Sequence, residues 1–463
     1  MSQPDPASGD TSAPPSDPFA DLAAFVAIPR IGALALSADG SRLVVSVATL
    51  DAEKKKWQSA LWEVDPVGER PARRLTRSAP GESSPAWAPD GSLLFTSARP
   101  DPATKEEGDP KPALWSLPPG GGEARPVLTR PGGIAGFTVA VGSGDVVVAA
   151  GTMRGGSEAE ADEERRKKRK DAGVSAILHE AYPVRYWDHD LGPAVPHLFW
   201  AGQLPAEEPA EGGEALEIRD LTPEAAPPSG AGEEFRLSPD GRLLARAEEV
   251  PDGLAGRRSR IVLTDTATGE SRPLVDDPLA DVYAASFSPD GGTVVCVREA
   301  MSTYTDPPDY TLLLVDVADG TARELTEGFD RWPSAPQFSA DGSAVYFLAD
   351  DDGRHAIFRV PASGGTPVRL TGDGAYSDLQ VARDGSALYA LRSSFDSPSV
   401  PVRLDPQAEL QDPPVLPSPG SLGPLPGTVR EVQATAADGA RVQCWLVLPE
   451  GASAESPAPL VLW

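Results

Sequence analysis

One short segment combines the residue types that could bind a charged ligand. It runs from Glu180 to Asp190 and brings aromatic rings together with Arg185 and Asp188. Carboxylates beside aromatic rings form charge-assisted hydrogen bonds and cation–π contacts, so they could bind the free N-terminal ammonium of a peptide. We therefore predict that Glu180, Arg185, Asp188 and Asp190 contact a substrate. The alternative is structural: the rings pack against the body of the protein while Arg185 pairs with Asp188.

No other set of residues forms a recognisable catalytic or metal-binding motif. Cys296 and Cys444 lie far apart in the sequence, which favours free thiols and a reducing compartment. The four histidines show no spacing typical of zinc sites: His179, His189, His197 and His355. The sequence also lacks the Gly-x-Ser-x-Gly of a nucleophile elbow. We predict no catalytic residue, no metal and no cofactor in this chain.

The elements around the charged segment follow a repeat of about fifty residues, a period typical of propellers. An Asp-Gly turn recurs between apolar runs, and Asp-Gly tolerates the positive φ angles of a tight hairpin. The turn aspartates are Asp39, Asp90, Asp240, Asp290, Asp341 and Asp384, with a degenerate turn at Asp145. β-rich runs and a Leu-Thr pair follow most turns, which supplies the four short strands of a propeller blade.

Counting these turns predicts an all-β fold, a seven-bladed β-propeller over residues 21–404. Eight blades, one of them strongly degenerate, is the alternative. The long interval before Asp240 predicts one blade plus an insertion at residues 155–196. Within the insertion, acid–base pairs at i,i+4 spacing predict a short solvated helix from Glu158 to Lys170.

Both ends of the chain depart from the repeat. Residues 1–20 are polar and predict a disordered tail that lacks the pattern of a signal peptide. Residues 405–427 are rich in proline and predict a semi-rigid linker. Beyond it, two alternating runs predict a hairpin, and the apolar run from Pro459 to Trp463 predicts a buried central strand. We expect residues 428–463 to be the first strands of a truncated α/β domain.

The charge of the chain excludes several classes of partner. With 69 acidic and 41 basic residues the formal net charge is −28. That balance disfavours nucleic acid, which requires a basic surface, and it would repel an anionic membrane. No apolar run approaches the roughly 18 residues of a membrane span. We predict a cytoplasmic protein with neither nucleic acid nor membrane as a partner.

Three features together resemble a known family. They are the Ser-Pro-Asp-Gly turns, the proline-rich crossing and the ending PAPLVLW. This combination resembles the prolyl oligopeptidase family of serine peptidases. The charged helix followed by VRYWDHDLGPAVPHLFW is similar to the insertion of its acylaminoacyl-peptidase and dipeptidyl-peptidase V-like branch.

The resemblance implies a fold and a function that the residues alone do not give. It implies that an α/β-hydrolase domain with a serine, aspartate and histidine triad follows the propeller. It also implies that short peptides are the substrates and that the propeller restricts their access to the catalytic domain. Because no triad residue can be assigned here, the resemblance implies an inactive fragment cut off before the catalytic serine.

Two other classes of function compete with this interpretation. The first is a non-enzymatic binding module resembling TolB-type propellers, whose blades use the same turns. The second is a sugar- or lactone-processing propeller with metal ligands at its centre. The sequence identifies no inward-facing set of Asp, Glu and His for such a metal.

Overall fold

A computed structural model describes residues 21–101, 110–179, 183–205, 216–224, 234–253, 256–420, 422 and 425–462. In these ranges the chain forms five four-stranded antiparallel sheets, one seven-stranded sheet and two small hairpins. The seven-stranded sheet consists of two units joined by a single parallel bridge between His355 and Ala375. The described ranges therefore contain seven blades, and the predicted all-β propeller is confirmed.

Each blade takes its strands from one stretch of the chain. Blade 1 contains β1 (Arg30–Leu36), β2 (Leu43–Leu50), β3 (Trp57–Val64) and β4 (Arg73–Arg74). Blade 2 contains β5 (Ser83–Trp87), β6 (Leu93–Ser97), β7 (Ala113–Leu117) and β8 (Arg125–Leu128). Blade 3 contains β9 (Ile134–Val139), β10 (Asp145–Met153), β13 (Ala194–Gln203) and β14 (Arg219–Asp220). Between β10 and β13 lie α2 (Ala159–Asp171), β11 (Arg185–Tyr186) and β12 (His189–Asp190), and α1 (Leu22–Val26) precedes blade 1.

The remaining blades repeat this order. Blade 4 contains β15 (Phe235–Leu237), β16 (Leu243–Asp252), β17 (Gly256–Asp265) and β18 (Ser271–Val275), and blade 5 contains β19 (Ala280–Phe287), β20 (Thr293–Ala300), β21 (Asp309–Asp316) and β22 (Ala322–Glu324). Blade 6 contains β23 (Ser334–Phe338), β24 (Ala344–Asp351), β25 (Arg354–Pro361) and β26 (Val368–Arg369). Blade 7 contains β27 (Ala375–Val381), β28 (Leu388–Ser394) and β29 (Ser397–Leu404). A final hairpin pairs β30 (Thr428–Thr435) with β31 (Arg441–Leu448).

The core lies between the blades, because alternate side chains of a strand point to opposite faces of its sheet. In β2, Val44 packs with Trp115 of blade 2, whereas Val45 packs with Tyr389 of blade 7. All four side chains are buried. The first strand of each blade contacts the first strand of its neighbours, including β1 with β27, so the blades close into a ring.

The recurring turn is stabilised by its own side chains. In blade 1 the Ser37 hydroxyl donates to Asp39 Oδ1 at 2.6 Å, and the Ser41 amide donates to the same oxygen at 3.0 Å. These bonds lower the pKa of Asp39 to about 2, the Ser37 bond most of all. Gly40 follows with φ +70°, a conformation that favours glycine. The motif is therefore a local hydrogen-bonded unit that needs no contact with other blades.

The predicted linker is not a free spacer. Gln411 bridges to Thr371 of blade 6, and Val415 bridges to Val402 of blade 7. Leu416 is 3% exposed and joins the core between blades 7 and 1. These backbone pairs and the buried leucine bind residues 411–416 of the predicted semi-rigid linker to the propeller, which its proline-rich composition did not indicate.

The structure differs from the prediction at the end of the chain. β30 and β31 form the predicted hairpin, but residues 459–462 are not a strand. Leu460, Val461 and Leu462 are largely exposed, because no strand lies beside them in the described ranges. The prediction of a buried strand is wrong here. Residues 1–20, Glu180 and Trp463 lie outside the described residues.

Candidate functional site

The two faces of the ring are chemically different. Because the strands of a blade alternate in direction, the Asp-Gly turns after the first strands all lie on one face, the turn face. The connections between second and third strands, and those between blades, lie on the opposite loop face. The insertion between β10 and β13 is such a connection, so it belongs to the loop face.

The β30–β31 hairpin is bound to the loop face. Arg354 stands at the centre of this contact: it donates to Glu431 at 2.9 Å and to Asp373 at 2.7 Å. Its guanidinium also lies over the Trp445 ring, 4.8 Å from the centroid. Hydrogen bonding from Arg354 is the largest cause that lowers the pKa of Glu431.

The turn between β24 and β25 enters this contact closely. Arg441 of the hairpin forms an ion pair with Asp352. At Gly353, whose φ is +70°, an added Cβ would lie 2.6 Å from Gln443 Oε1 and 2.8 Å from Trp445 Nε1. The positive φ and the close approach of the hairpin both favour glycine at this position. We call the contact among Arg354, Glu431, Arg441, Asp352 and Trp445 the clasp.

The insertion helix is anchored by a buried carboxylate. Asp162 is 1% exposed, accepts a hydrogen bond from the Met153 amide at 2.7 Å and pairs with Arg166 at 2.9 Å. Arg166 also donates to the Gly151 carbonyl at 2.6 Å. The sequence predicted a short solvated helix; the helix is present, but its face carrying Asp162 is buried against β10. Acid–base pairs at i,i+4 spacing in the sequence indicate a helix, but they do not indicate which of these pairs is buried.

A second polar cluster lies beneath the insertion. His197 Nδ1 and Asp220 Oδ2 are 2.8 Å apart, and both side chains are nearly buried. Burial would raise the pKa of Asp220, but hydrogen bonds from His197 and Ser157 outweigh it and lower that pKa. Ser157 bonds the carboxylate, whereas the serine of a catalytic triad bonds the imidazole. The cluster therefore stabilises the base of the insertion.

The structure places three of the four sequence-predicted site residues, Arg185, Asp188 and Asp190, on an exposed hairpin, β11–β12, while Glu180 lies outside the described residues. Arg185 pairs with Asp190 at 2.9 Å, and both side chains are more than half exposed. Asp188 approaches His189 at 3.4 Å, again in solvent. The alternative is wrong in its details, because Arg185 pairs with Asp190 rather than Asp188, and Trp187 is 96% exposed. Substrate contact by Arg185, Asp188 and Asp190 stays a prediction, as it does for Glu180.

A different pair of carboxylates occupies the loop face of blade 5. Asp281 and Glu299 are direct cross-strand partners on β19 and β20. Like charges placed opposite each other in a sheet are destabilising. Asp281 accepts a hydrogen bond from the Ser259 amide, and the nearby Arg298 and Arg331 pair with Asp277 and Asp351 instead. Burial is the main cause that raises the pKa of Asp281, and repulsion by Glu299 adds to it.

Aromatic side chains lie beside Glu299. The Tyr283 hydroxyl donates to Glu299 at 2.9 Å, and Tyr310 stacks on Trp332 with 4.4 Å between ring centroids. Burial and hydrogen bonding to Glu299 raise the pKa of Tyr310 to about 12. Sequence reasoning missed this acidic–aromatic cluster because strand pairing alone brings the residues together; no motif marks them. Its chemistry suits a cation such as an ammonium group.

Other features of the described residues add no further site. Clefts of about 570 Å³ and 490 Å³ lie on the turn face between neighbouring blades, at Asp341 and Asp290. They repeat with the blades and so follow from radial packing. No group of three or more metal-ligating side chains occurs in these ranges. No helix there is both long enough and apolar enough to cross a membrane.

Sequence comparison identifies relatives of this chain. Dipeptidyl-peptidase 5 of Porphyromonas gingivalis is 24% identical over 456 residues, which is 95% of this chain and 62% of the relative. Probable dipeptidyl-peptidase 5 of Aspergillus niger is 26% identical over 246 residues, 48% of this chain and 33% of the relative. The chain thus spans less than two thirds of these curated relatives. No family model matches it.

Solved structures share the fold at low sequence identity. An acylaminoacyl peptidase in complex with Z-Gly-Gly-Phe-chloromethyl ketone matches with a TM-score of 0.65 and 12% identity, covering 94% of this chain and 60% of that one. The β-propeller domain of the Trilobed protease from Pyrococcus furiosus, with an open velcro topology, matches at 0.56 and 10% identity. This match covers 85% of this chain and the whole of that domain.

Proposed function

We propose that this chain is the propeller portion of a serine peptidase acting on short peptides. The proposal rests on its homology to dipeptidyl-peptidase 5, in the family of prolyl oligopeptidase-type peptidases. The observation that supports this most directly is the clasp. It fixes the β30–β31 hairpin on the loop face, the face that also bears the insertion. A catalytic domain that continues from this hairpin would be covered by the loop face.

In this proposal the propeller limits access to the catalytic domain, and the chain alone is inactive. Support comes from the sequence, which contains no Gly-x-Ser-x-Gly. The predicted cytoplasmic location belongs to the same proposal.

The first test is the coding sequence beyond Trp463, followed by labelling of its complete product with a fluorophosphonate. We expect a Gly-x-Ser-x-Gly in the added sequence and a labelled serine in the complete product. The 463-residue chain serves as the matched control and should stay unlabelled. An unlabelled complete product would instead favour a binding module, and hydrolysis by the chain alone would contradict its proposed inactivity.

The acidic–aromatic cluster extends the proposal to substrate recognition. Glu299, with Asp281 opposite and Tyr310 beside it, could accept charge-assisted hydrogen bonds from the free amino terminus of a peptide. A bound ammonium would also relieve the repulsion between the two carboxylates.

The variant Glu299→Gln in the complete product tests this recognition. We expect KM for a dipeptide anilide with a free amino terminus to rise at least about tenfold, because one charge-assisted hydrogen bond is lost. KM for the N-acetylated anilide should not change. Glu327→Gln, at an exposed glutamate of the following loop, is the control. Equal effects of Glu299→Gln on both substrates would contradict ammonium binding.

A further inference from the structure

The seam between blade 7 and blade 1 differs from the other contacts between blades. In the part of the chain that the structure describes, these two blades are neighbours in the ring but not in sequence. Apolar side chains from both, including Val45 and Tyr389, form the core of the seam. Blade 7 also has three strands where the other blades have four. Neither blade contains a cysteine, so no disulfide joins these two ends of the ring.

Residues 411–420, which we call the strap, lie across this seam. On blade 7, Val415 bridges to Val402 in antiparallel orientation, and the Leu416 amide donates to the Pro401 carbonyl at 2.8 Å. Leu416 then enters the core of the seam with 3% of its surface exposed. The strap therefore occupies the place of the missing fourth strand.

The strap continues onto blade 1. A Cβ built on Gly68, in the turn after β3, would lie 3.4 Å from Leu416 Cδ2. At the other end of the strap, a Cβ on Gly420 would lie 3.3 Å from Pro29, just before β1. Both positions lie beside blade 1 or the residue that precedes it, and Leu416 belongs to the same buried core as Leu43 and Val64 of blade 1, so the strap reaches both sides of the seam.

Blade 6 fixes the start of the strap. The Gln411 amide donates to the Leu370 carbonyl, and the Gly372 amide donates to the Gln411 carbonyl, both at 2.9 Å. The side-chain amide of Gln411 bonds back to the Asp405 and Ala408 carbonyls. The strap is thus held on blade 6, passes along blade 7 and ends at blade 1.

We propose that the strap closes the propeller ring. Docking of Leu416 and burial of the seam core then depend on each other. Release of the strap exposes the apolar residues of the seam, and opening of the seam removes the binding site of Leu416. Since the strap precedes β30, the same segment that closes the ring connects it to the hairpin. Closure of the ring by the strap does not depend on any catalytic activity.

Hydrogen exchange of the whole chain, followed by mass spectrometry, tests the strap. In Leu416→Ala we expect the amides of β1 and β28 to exchange at least about tenfold faster, which corresponds to a loss of ~1.4 kcal/mol in the free energy of opening. The amides of blades 4 and 5 should keep the exchange rates of the wild type. The control is Leu325→Ala: Leu325 is 4% exposed, and its amide donates to Leu312 at 2.7 Å in the core between blades 5 and 6. That variant should affect blades 5 and 6 and spare the seam.

The proposal would be overturned if Leu416→Ala increased the exchange rates of all blades equally, or if it left the exchange rates of β1 and β28 unchanged. If Leu416→Ala does not fold, Leu416→Val should give the same regional pattern with a smaller increase. A protease site placed between residues 421 and 427 separates the strap from the hairpin. Seam rates should stay unchanged after cleavage there; acceleration as large as in Leu416→Ala would assign closure to the hairpin instead.

Discussion

At the scale of single residues, buried charges decide where the insertion lies. Asp162 and Arg166 are as close in sequence as Glu164 and Lys168, and both pairs are formed. Only Asp162 is buried, where it also satisfies the Met153 amide. The difference comes from the strand beneath the helix. A charge pattern in the sequence therefore indicates the helix, while its anchor is visible only in the structure.

Removing that anchor should release the helix. In Asp162→Ala, Arg166 and the Met153 amide lose their partner, and we expect docking of α2 to weaken by about 2 kcal/mol or more. Trypsin cleavage in the basic run from Arg165 to Lys170 should then become much faster. Glu164→Ala removes the exposed pair and should leave the docking of α2 and the cleavage rate nearly unchanged. Equal cleavage of the two variants would contradict the anchoring role.

At the scale of elements, local motifs were predictable and long-range contacts were not. The blade turns follow from the sequence because Ser37, Asp39 and Ser41 bond within five residues of one another. The strap could not be predicted, since Leu416 reaches its partners only when the ring has closed. The acidic–aromatic cluster depends in the same way on the register of β19 against β20.

Limited proteolysis should distinguish the strap from the residues that follow it. Residues 411–416 pair with blades 6 and 7, and Gly420 lies beside Pro29, so we expect proteinase K to cut first between residues 421 and 427. The products should be a resistant propeller that retains the strap and a fragment containing β30 and β31. First cuts within residues 411–420, or uniform resistance up to residue 430, would contradict this division.

At the scale of the whole molecule, the repeated turns make stability depend on acid in a defined direction. Hydrogen bonds from serines, led by those of Ser37 and Ser339, lower the pKa of Asp39 and Asp341 to about 2. The ordinary value is about 3.9. A lowered pKa stabilises the fold above the ordinary value, and that stabilisation is lost as the pH falls toward about 2.

We therefore expect the Tm of the chain to fall between pH 4 and pH 2. In Asp341→Asn, which resembles the protonated carboxyl, Tm should be lower than in the wild type at pH 7, and the difference should shrink as the pH approaches 2. Asp330→Asn, at an exposed aspartate outside the turns, is the control for overall charge. A difference that stays constant from pH 7 to pH 2 would contradict a role for the turn carboxylate.

The arrangement of each blade as one consecutive stretch of chain has a consequence for synthesis. Contacts within a blade are local, so the first blade can form while the last is still being translated. Its face toward the seam, which includes Ile31, Val45 and Val47, has no cover until the last blade and Leu416 emerge. We expect the nascent chain to present that apolar face to chaperones during translation, and a stalled product to aggregate through it.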